Sequence, residues 1–344
     1  MVLPPNNKGA LIPIKYKNMN LGVIFQKPSQ TAWVGGENSK LVFEDRGILT
    51  WKEYLNKAEN QNGVYVSSMC CVSFSFNEAI EANVNYLLKN NKGNFDYLYN
   101  CLSNSEKELF DDFVNKDNEF DLSDRALGKL SGTTNKGNTC ERVAETGRKM
   151  AVPQKIWDFP NTQRTPVFDN EDFFAPIPDD LVKKYSDVFF KIFTVNYEFI
   201  STDLPSLKVA LKQAPIQIIV SCCPGWNGTE VKACARDYEH AILLVGIDEQ
   251  NRYLVRDSFN SNNDKVLAQD YKIGSALKIV VNFNNPMTNA LILKKKGQKD
   301  IVFAYPVESE AAMSSYLKNA GLSVPLKEDG KLDWSKIKIN GEYE

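Results

Sequence analysis

The feature that most constrains this chain is its only histidine. His240 opens a strongly apolar run within YEHAILLVGIDEQNRYLVRDSF, residues 238–259. AILLVG at 241–246 predicts a buried strand and RYLVRDS at 252–258 its partner, with the polar DEQN (248–251) as the turn between them. A two-residue loop of Glu249 and Gln250 would pair Asp248 with Asn251 and set Asp257 opposite Ile242. His240 and Asp257 then become diagonal cross-strand neighbours, with backbones roughly 7–8 Å apart and side chains in reach. A three-residue loop would shift the register by one and turn Asp257 to the other face.

A histidine held by a carboxylate is half of a nucleophilic site, because the carboxylate selects the tautomer and supports the imidazolium. The alternative is a core histidine satisfied by hydrogen bonds. The candidate nucleophile comes from VYVSSMCCVSFSFNEAIEANVNYLLKNNKG (64–93), whose apolar residues Phe74, Ile80, Val84, Leu87 and Leu88 recur at helical spacing. The pattern predicts a buried helix with Ser68, Cys70 and Cys71 in its first turn. A thiol there feels the positive end of the helix dipole, which favours thiolate. Cys70 and Cys71 read equally as small hydrophobes of a core.

Bulk composition excludes several classes. Of 344 residues, 43% are hydrophobic and 24% charged, and the net charge is −2, which suits a globular chain and argues for neither nucleic acid nor an anionic membrane as partner. The start lacks a signal-peptide core, and no apolar run reaches 18 residues. Seven cysteines (70, 71, 101, 140, 222, 223, 234), with two adjacent pairs and no CxxC spacing, do not suggest a disulfide framework. A soluble protein of a reducing, cytoplasmic compartment is expected. One histidine leaves little for a metal site, and no cofactor is implied.

Along the chain, residues 1–49 read as an N-terminal arm and 48–63 as a short helix. Helix and loop fill 94–130, with Ser123 or Asp121 capping LSDRALGKL (122–130). The glycine loop SGTTNKGNT (131–139) leads into a helix at 140–150, and a proline-rich surface loop spans 156–180. Helices at 181–193 and 204–213 alternate with strands at 194–201 and 216–221. A loop at 222–238 precedes the hairpin, and a strand at 277–283 follows it. Helices dominate the first half and antiparallel strands the second, which predicts an α+β architecture of two lobes, a nucleophile on a helix facing a base on a sheet.

Together these pieces resemble the papain-like cysteine peptidases. CCVSFSFNEAIEAN (70–83) is similar to the family's nucleophile segment: Cys71 matches the nucleophile, Val72 replaces a tryptophan, Phe74-Ser75 match, and Glu81 falls where that helix carries a glutamate. LSDRALGKLSGTTNKGNTCERVAETG (122–147) resembles the glycine-loop stretch, with Gly137 as the glycine lining the substrate cleft. HAILLVGID (240–248) matches the histidine strand, and RDSF (256–259) the element that supplies the third residue and its aromatic cover, here Asp257 and Phe259. The resemblance spans about residues 50–283, and its weight lies in the order of the motifs.

The chain departs from the pattern in several places. Asp257 stands where the family has asparagine, and Phe259 where it has tryptophan. Tyr65 occupies the position of the glutamine that donates to the oxyanion, leaving Gln61 as the candidate. Ser68 replaces a disulfide cysteine. The separation of 169 residues between Cys71 and His240 exceeds the roughly 130–150 of the family, which an inserted loop in 156–190 or 222–238 explains.

The resemblance implies a cysteine-type endopeptidase acting on a protein or peptide substrate, with Cys71 as nucleophile, His240 as acid and base, and Asp257 orienting the ring. Cys70 is the rival nucleophile. Compact Cys-His-Asp peptidases and Cys-His amidases are variants of the same chemistry. The non-enzymatic alternative is an inactive papain-like scaffold serving as a binding or structural component, including a virion-associated one. Residues 284–344 fall outside the resemblance and read as a strand pair, a short helix at 309–320 and a polar end anchored by Trp334. They form a small appended module or a docking segment for a partner.

Overall fold

The computed structural model describes residues 23–26, 45–59, 69–154, 177–235, 237–259, 264–284, 291–295, 301–303 and 341–343. The chain divides into two compact units, 1–283 and 284–344.

The first unit is built around α1 (Cys71–Asn90), a twenty-residue helix free of proline and glycine, buried at Cys71, Val72, Phe76, Ala79, Ile80, Ala82, Val84 and Leu87. It starts at Cys71, with Cys70 as a cap that has no side-chain cap bond and Met69 at a left-handed φ of 55°. Cys70 therefore lies before the first turn rather than within it, and Ser68 lies outside the described residues.

Shorter helices pack beside it: α2 (Lys92–Asn100), α3 (Asn104–Asp111), α4 (Asp124–Leu130), α5 (Cys140–Gly147) and α6 (Asp179–Ile192). Their starts follow ordinary capping rules, in which a short polar side chain satisfies an orphan N–H. Ser123 accepts from Ala126 N–H at 3.1 Å and Thr139 from Arg142 N–H at 3.3 Å, and Ser103 with Glu106 forms a capping box. Phe110, Phe113, Phe120, Phe189 and Phe193 form one aromatic cluster that joins these helices to the sheet.

Of the expected helix over 48–63, the described residues 48–59 hold one 3₁₀ turn, Lys52–Tyr54. Thr50 bridges Gly246, and Trp51 N–H donates to the Val245 carbonyl at 2.7 Å. The segment thus uses its backbone on the sheet, and burial of the Trp51 ring outweighs helix propensity.

The sheet is formed by β1 (Phe193–Ile200), β2 (Ile216–Val220), β3 (Glu230–Val231), β4 (His240–Ile247), β5 (Tyr253–Arg256), β6 (Asp264–Leu267) and β7 (Ile273–Phe283), with α7 (Leu204–Leu211) between β1 and β2. Its order is β1-β7-β2-β4-β5-β6-β3, antiparallel except for the β3–β6 pair. Helix α1 packs on β7, β4 and β2. The class is α+β, with the cysteine helix against an antiparallel sheet that carries the histidine.

The hairpin turn differs from the expected two-residue loop. Asp248 N–H donates to Arg252 O at 3.0 Å, so Glu249, Gln250 and Asn251 form a three-residue loop, with Asn251 at φ 60°, the left-handed residue such loops need. The register shift this entails is undone by a bulge between Leu244 and Gly246, after which Leu243 faces Arg256. The bulge adds one residue on β4 and restores the face on which Asp257 emerges. Two departures from the expected hairpin cancel.

The loop at 222–238 contains β3 and is closed by a Cys223–Cys234 disulfide, a bridge that the cysteine spacing does not suggest. The loop brings the two Cα atoms to 5.6 Å, within bridging range, a closeness that no spacing motif announces. The other five cysteines form no disulfide. In the second unit β8 (Leu291–Lys295) pairs antiparallel with β9 (Ile301–Phe303) and parallel with β10 (Gly341–Tyr343). The expected helix at 309–320 and Trp334 lie outside the described residues, as does most of the 156–180 loop. Among the described residues no helix is long and apolar enough to cross a membrane.

Candidate active site

Cys70 and Cys71 are adjacent, yet they face opposite layers. A Cβ placed on Gly128 of α4 would come within 2.7 Å of Cys70 Sγ, so Cys70 packs into the helical layer. Cys71 interacts with His240 on the sheet. As the first residue of α1, Cys71 also carries one of the N–H groups that have no intrahelical acceptor. The first turn is tied to the sheet by Gln217 of β2, whose Nε2 donates to the Val72 carbonyl at 2.8 Å and to Ser75 Oγ at 2.7 Å.

His240 and Asp257 are both fully buried, with Nε2 2.7 Å from Oδ1. The other ring nitrogen, Nδ1, makes no hydrogen bond, and the Cys71 thiol lies near enough to His240 to favour its charged form. Burial pushes the imidazole down. The Asp257 charge and hydrogen bond, with a smaller contribution from Cys71, outweigh it and raise His240 to about 10. Burial likewise pushes Asp257 up, but the charges of His240 and Lys265 and the Phe259 N–H hold it below the usual carboxylate range. The arrangement holds a protonated imidazole between a carboxylate and a thiol, which is the requirement for stabilising a thiolate.

The aromatic cover comes from two directions. Phe259 meets the His240 ring edge-on with centroids 5.7 Å apart, and Trp226 does the same at 5.6 Å. Trp226 also donates its indole N–H to Asp257 Oδ2 at 2.9 Å. Residue-by-residue reading of RDSF missed Trp226, because it arrives from the disulfide-closed loop 222–238. The available signal was a tryptophan inside the turn sequence CCPGWNG. Lys265 of β6 was missed as well; its ammonium sits 3.4 Å from Asp257 Oδ2 with both side chains fully buried.

Gly137 takes a φ of 89° in a tight turn closed by its N–H to Thr134 O at 2.8 Å, a conformation suited to glycine. The next residue, Asn138, accepts Ile24 N–H at 2.8 Å, while Phe25 packs on Tyr238, with ring centroids 5.2 Å apart. Residues 23–26 thus link the glycine loop to the segment that enters β4. Glu81 accepts from Leu122 N–H at 2.7 Å and Asn56 Nδ2 at 3.2 Å and serves as an internal brace. Gln61 and Tyr65 lie outside the described residues. Burial, reinforced by Cys71, pushes the Cys140 thiol up, and burial with Asp257, Glu239 and Cys71 does the same to Cys222, against the pull of Lys265. Both stay protonated at neutral pH. Among the described residues no group of His, Cys, Asp and Glu is placed to hold a metal ion.

Fold and site together define a class: a buried thiol at the start of a helix, near a buried imidazole on an antiparallel sheet that a carboxylate holds from the end of the next strand. No protein-family model matches the sequence, and no curated protein matches it. Among solved structures the chain is similar to xylellain, a cysteine protease from Xylella fastidiosa, at 16% identity and a TM-score of 0.49 over 77% of this chain and 95% of that one. It is also similar to the bromelain protease from Ananas comosus, at 14% identity and a TM-score of 0.41, covering 67% and 97%. A third is the digestive procathepsin L2 proteinase from Tenebrio molitor larval midgut, at 13% and 0.41, covering 71% and 70%. Each is a likeness of the fold alone.

Proposed function

We propose that this chain is a papain-like cysteine peptidase that cleaves peptide bonds through a Cys71 thioester. The observation that carries the reading is buried His240, held by Asp257 through Nε2 and near enough to the Cys71 thiol at the start of α1 for Cys71 to favour its charged form. Cys71 thiolate attacks the scissile carbonyl, with His240 as the imidazolium partner. As the carbon–nitrogen bond breaks, His240 gives its proton to the leaving amine. The neutral ring then takes a proton from water, which attacks the thioester and releases the carboxylic product and the thiol. The Cys71 N–H is suited to stabilise the oxyanion, for which Gln61 remains the side-chain candidate; one such donor is worth about 3–4 kcal/mol. Gly137 is the candidate cleft residue and Phe259, with Trp226, the shield over the ring.

The test is labelling by an epoxide or vinyl-sulfone probe under reductant, with mass-spectrometric mapping. The expected result is an adduct on Cys71 that is lost in Cys71→Ala and His240→Ala and kept in Cys70→Ala. An adduct on Cys70, or labelling indifferent to His240, refutes the assignment. Absence of labelling favours the inactive scaffold.

A further inference from the structure

Asp257 is held by four groups. Oδ1 accepts from His240 Nε2 at 2.7 Å and from Phe259 N–H at 2.9 Å. Oδ2 accepts from Trp226 Nε1 at 2.9 Å and lies 3.4 Å from Lys265 Nζ. Lysine is almost never fully buried unless paired, and here both partners are shut off from solvent. The Lys265 ammonium also lies 5.8 Å from the centroid of the Trp226 ring. Its position is set by strand pairing: Lys265 on β6 faces Val255 on β5, two residues before Asp257.

The charges in this dry site form a closed set. In the reactive state Cys71 is an anion and His240 a cation, and the pair is neutral by itself. A carboxylate at 257 adds a negative charge, and Lys265 adds a positive one. Without the lysine the Asp257 carboxylate would favour imidazolium more strongly still, and the neutral ring needed for deacylation would be scarcer.

We propose, on the peptidase reading above, that Lys265 is a positioning and charge-balancing residue that offsets part of the Asp257 charge, so that the carboxylate orients His240 with a smaller bias toward imidazolium. The other groups that face the pair do not replace it. Cys71 and Glu78 on α1 and Cys222 on the loop after β2 bring no positive charge, Glu239 adds a negative one, and Arg256, beside Asp257 in sequence, is paired with Glu78 at 3.2 Å and Asp264 at 2.6 Å. Lys265 thus tempers the carboxylate that orients the ring.

The 344-residue chain labelled with ¹⁵N-histidine answers this without substrate, since its one histidine gives one pair of ring signals. In Lys265→Met the titration midpoint of His240 is expected to rise by about one pH unit or more, the scale of a close charge. In Lys265→Arg it should stay at the wild-type value. The basic limb of the pH profile for Cys71 alkylation should move with it. An unchanged midpoint in Lys265→Met, or an equal shift in Lys265→Arg, overturns the proposal. Should the methionine variant not fold, Lys265→Gln replaces it; if neither neutral variant folds while arginine does, the role is structural and the proposal falls. Failure of the peptidase reading shows separately, as a wild-type protein that resists labelling while the His240 midpoint still responds to residue 265.

Discussion

Trp226→Phe isolates one hydrogen bond in the site. The indole N–H is a donor to Asp257 Oδ2 at 2.9 Å, and the acceptor is a fully buried carboxylate. Phenylalanine keeps most of the ring that packs on His240 but leaves that lone pair with Lys265 alone. A hydrogen bond to a charged group contributes about 1.5–3 kcal/mol, so Trp226→Phe should cost about 2 kcal/mol. Trp226→Ala also opens a cavity beside the imidazole, and a loss of about 3–5 kcal/mol is expected for that truncation. Urea unfolding of both variants, read by far-UV circular dichroism, measures the difference. The same Phe substitution in an Asp257→Asn background should cost at least about 1 kcal/mol less, because the acceptor is no longer charged. If Trp226→Phe falls within about 0.5 kcal/mol of wild type, as an uncoupled surface change would, or if the coupling to residue 257 is nil, the indole does not hold the carboxylate.

Two further outcomes follow from other parts of the fold. Asp124 is buried beside Glu81, and burial, opposed by hydrogen bonds from Glu59 and Asn77, raises it to about 8. Its folded value lies above its unfolded one near 4, so its stabilising proton is fully effective below pH 4 and lost as the pH rises through about 8. Asp124→Asn should therefore gain on wild type by about 1.4 kcal/mol per pH unit between pH 5 and 7; stability curves that run parallel refute this. Gly128→Ala would set a methyl group 2.7 Å from Cys70 Sγ and should cost about 1–3 kcal/mol by overpacking. Cys70→Ala in the same chain should restore most of that loss in thermal unfolding, and no rescue would mean that Cys70 does not face α4.

Much of the chain was legible because local patterns carry short-range physics. Helical spacing located α1, alternating and apolar runs located β1, β2, β4 and β7, and Ser123 marked the start of α4. The lone histidine narrowed any thiol–imidazole chemistry to His240, and the order of the motifs supplied the papain-like resemblance. Tertiary structure decided what those patterns do not encode. The three-residue loop and the compensating bulge in β4 set the face of Asp257, because register depends on the sum of every insertion along a ladder. Packing of Gly128 against Cys70 turned Cys71 rather than its neighbour toward the sheet. Trp226 and Lys265 reach Asp257 from a disulfide-closed loop and from a strand found only by its pairing. Periodicity reports which face of an element is buried, while the identity of the groups that meet across that face depends on loop closure and strand order, which no local window contains.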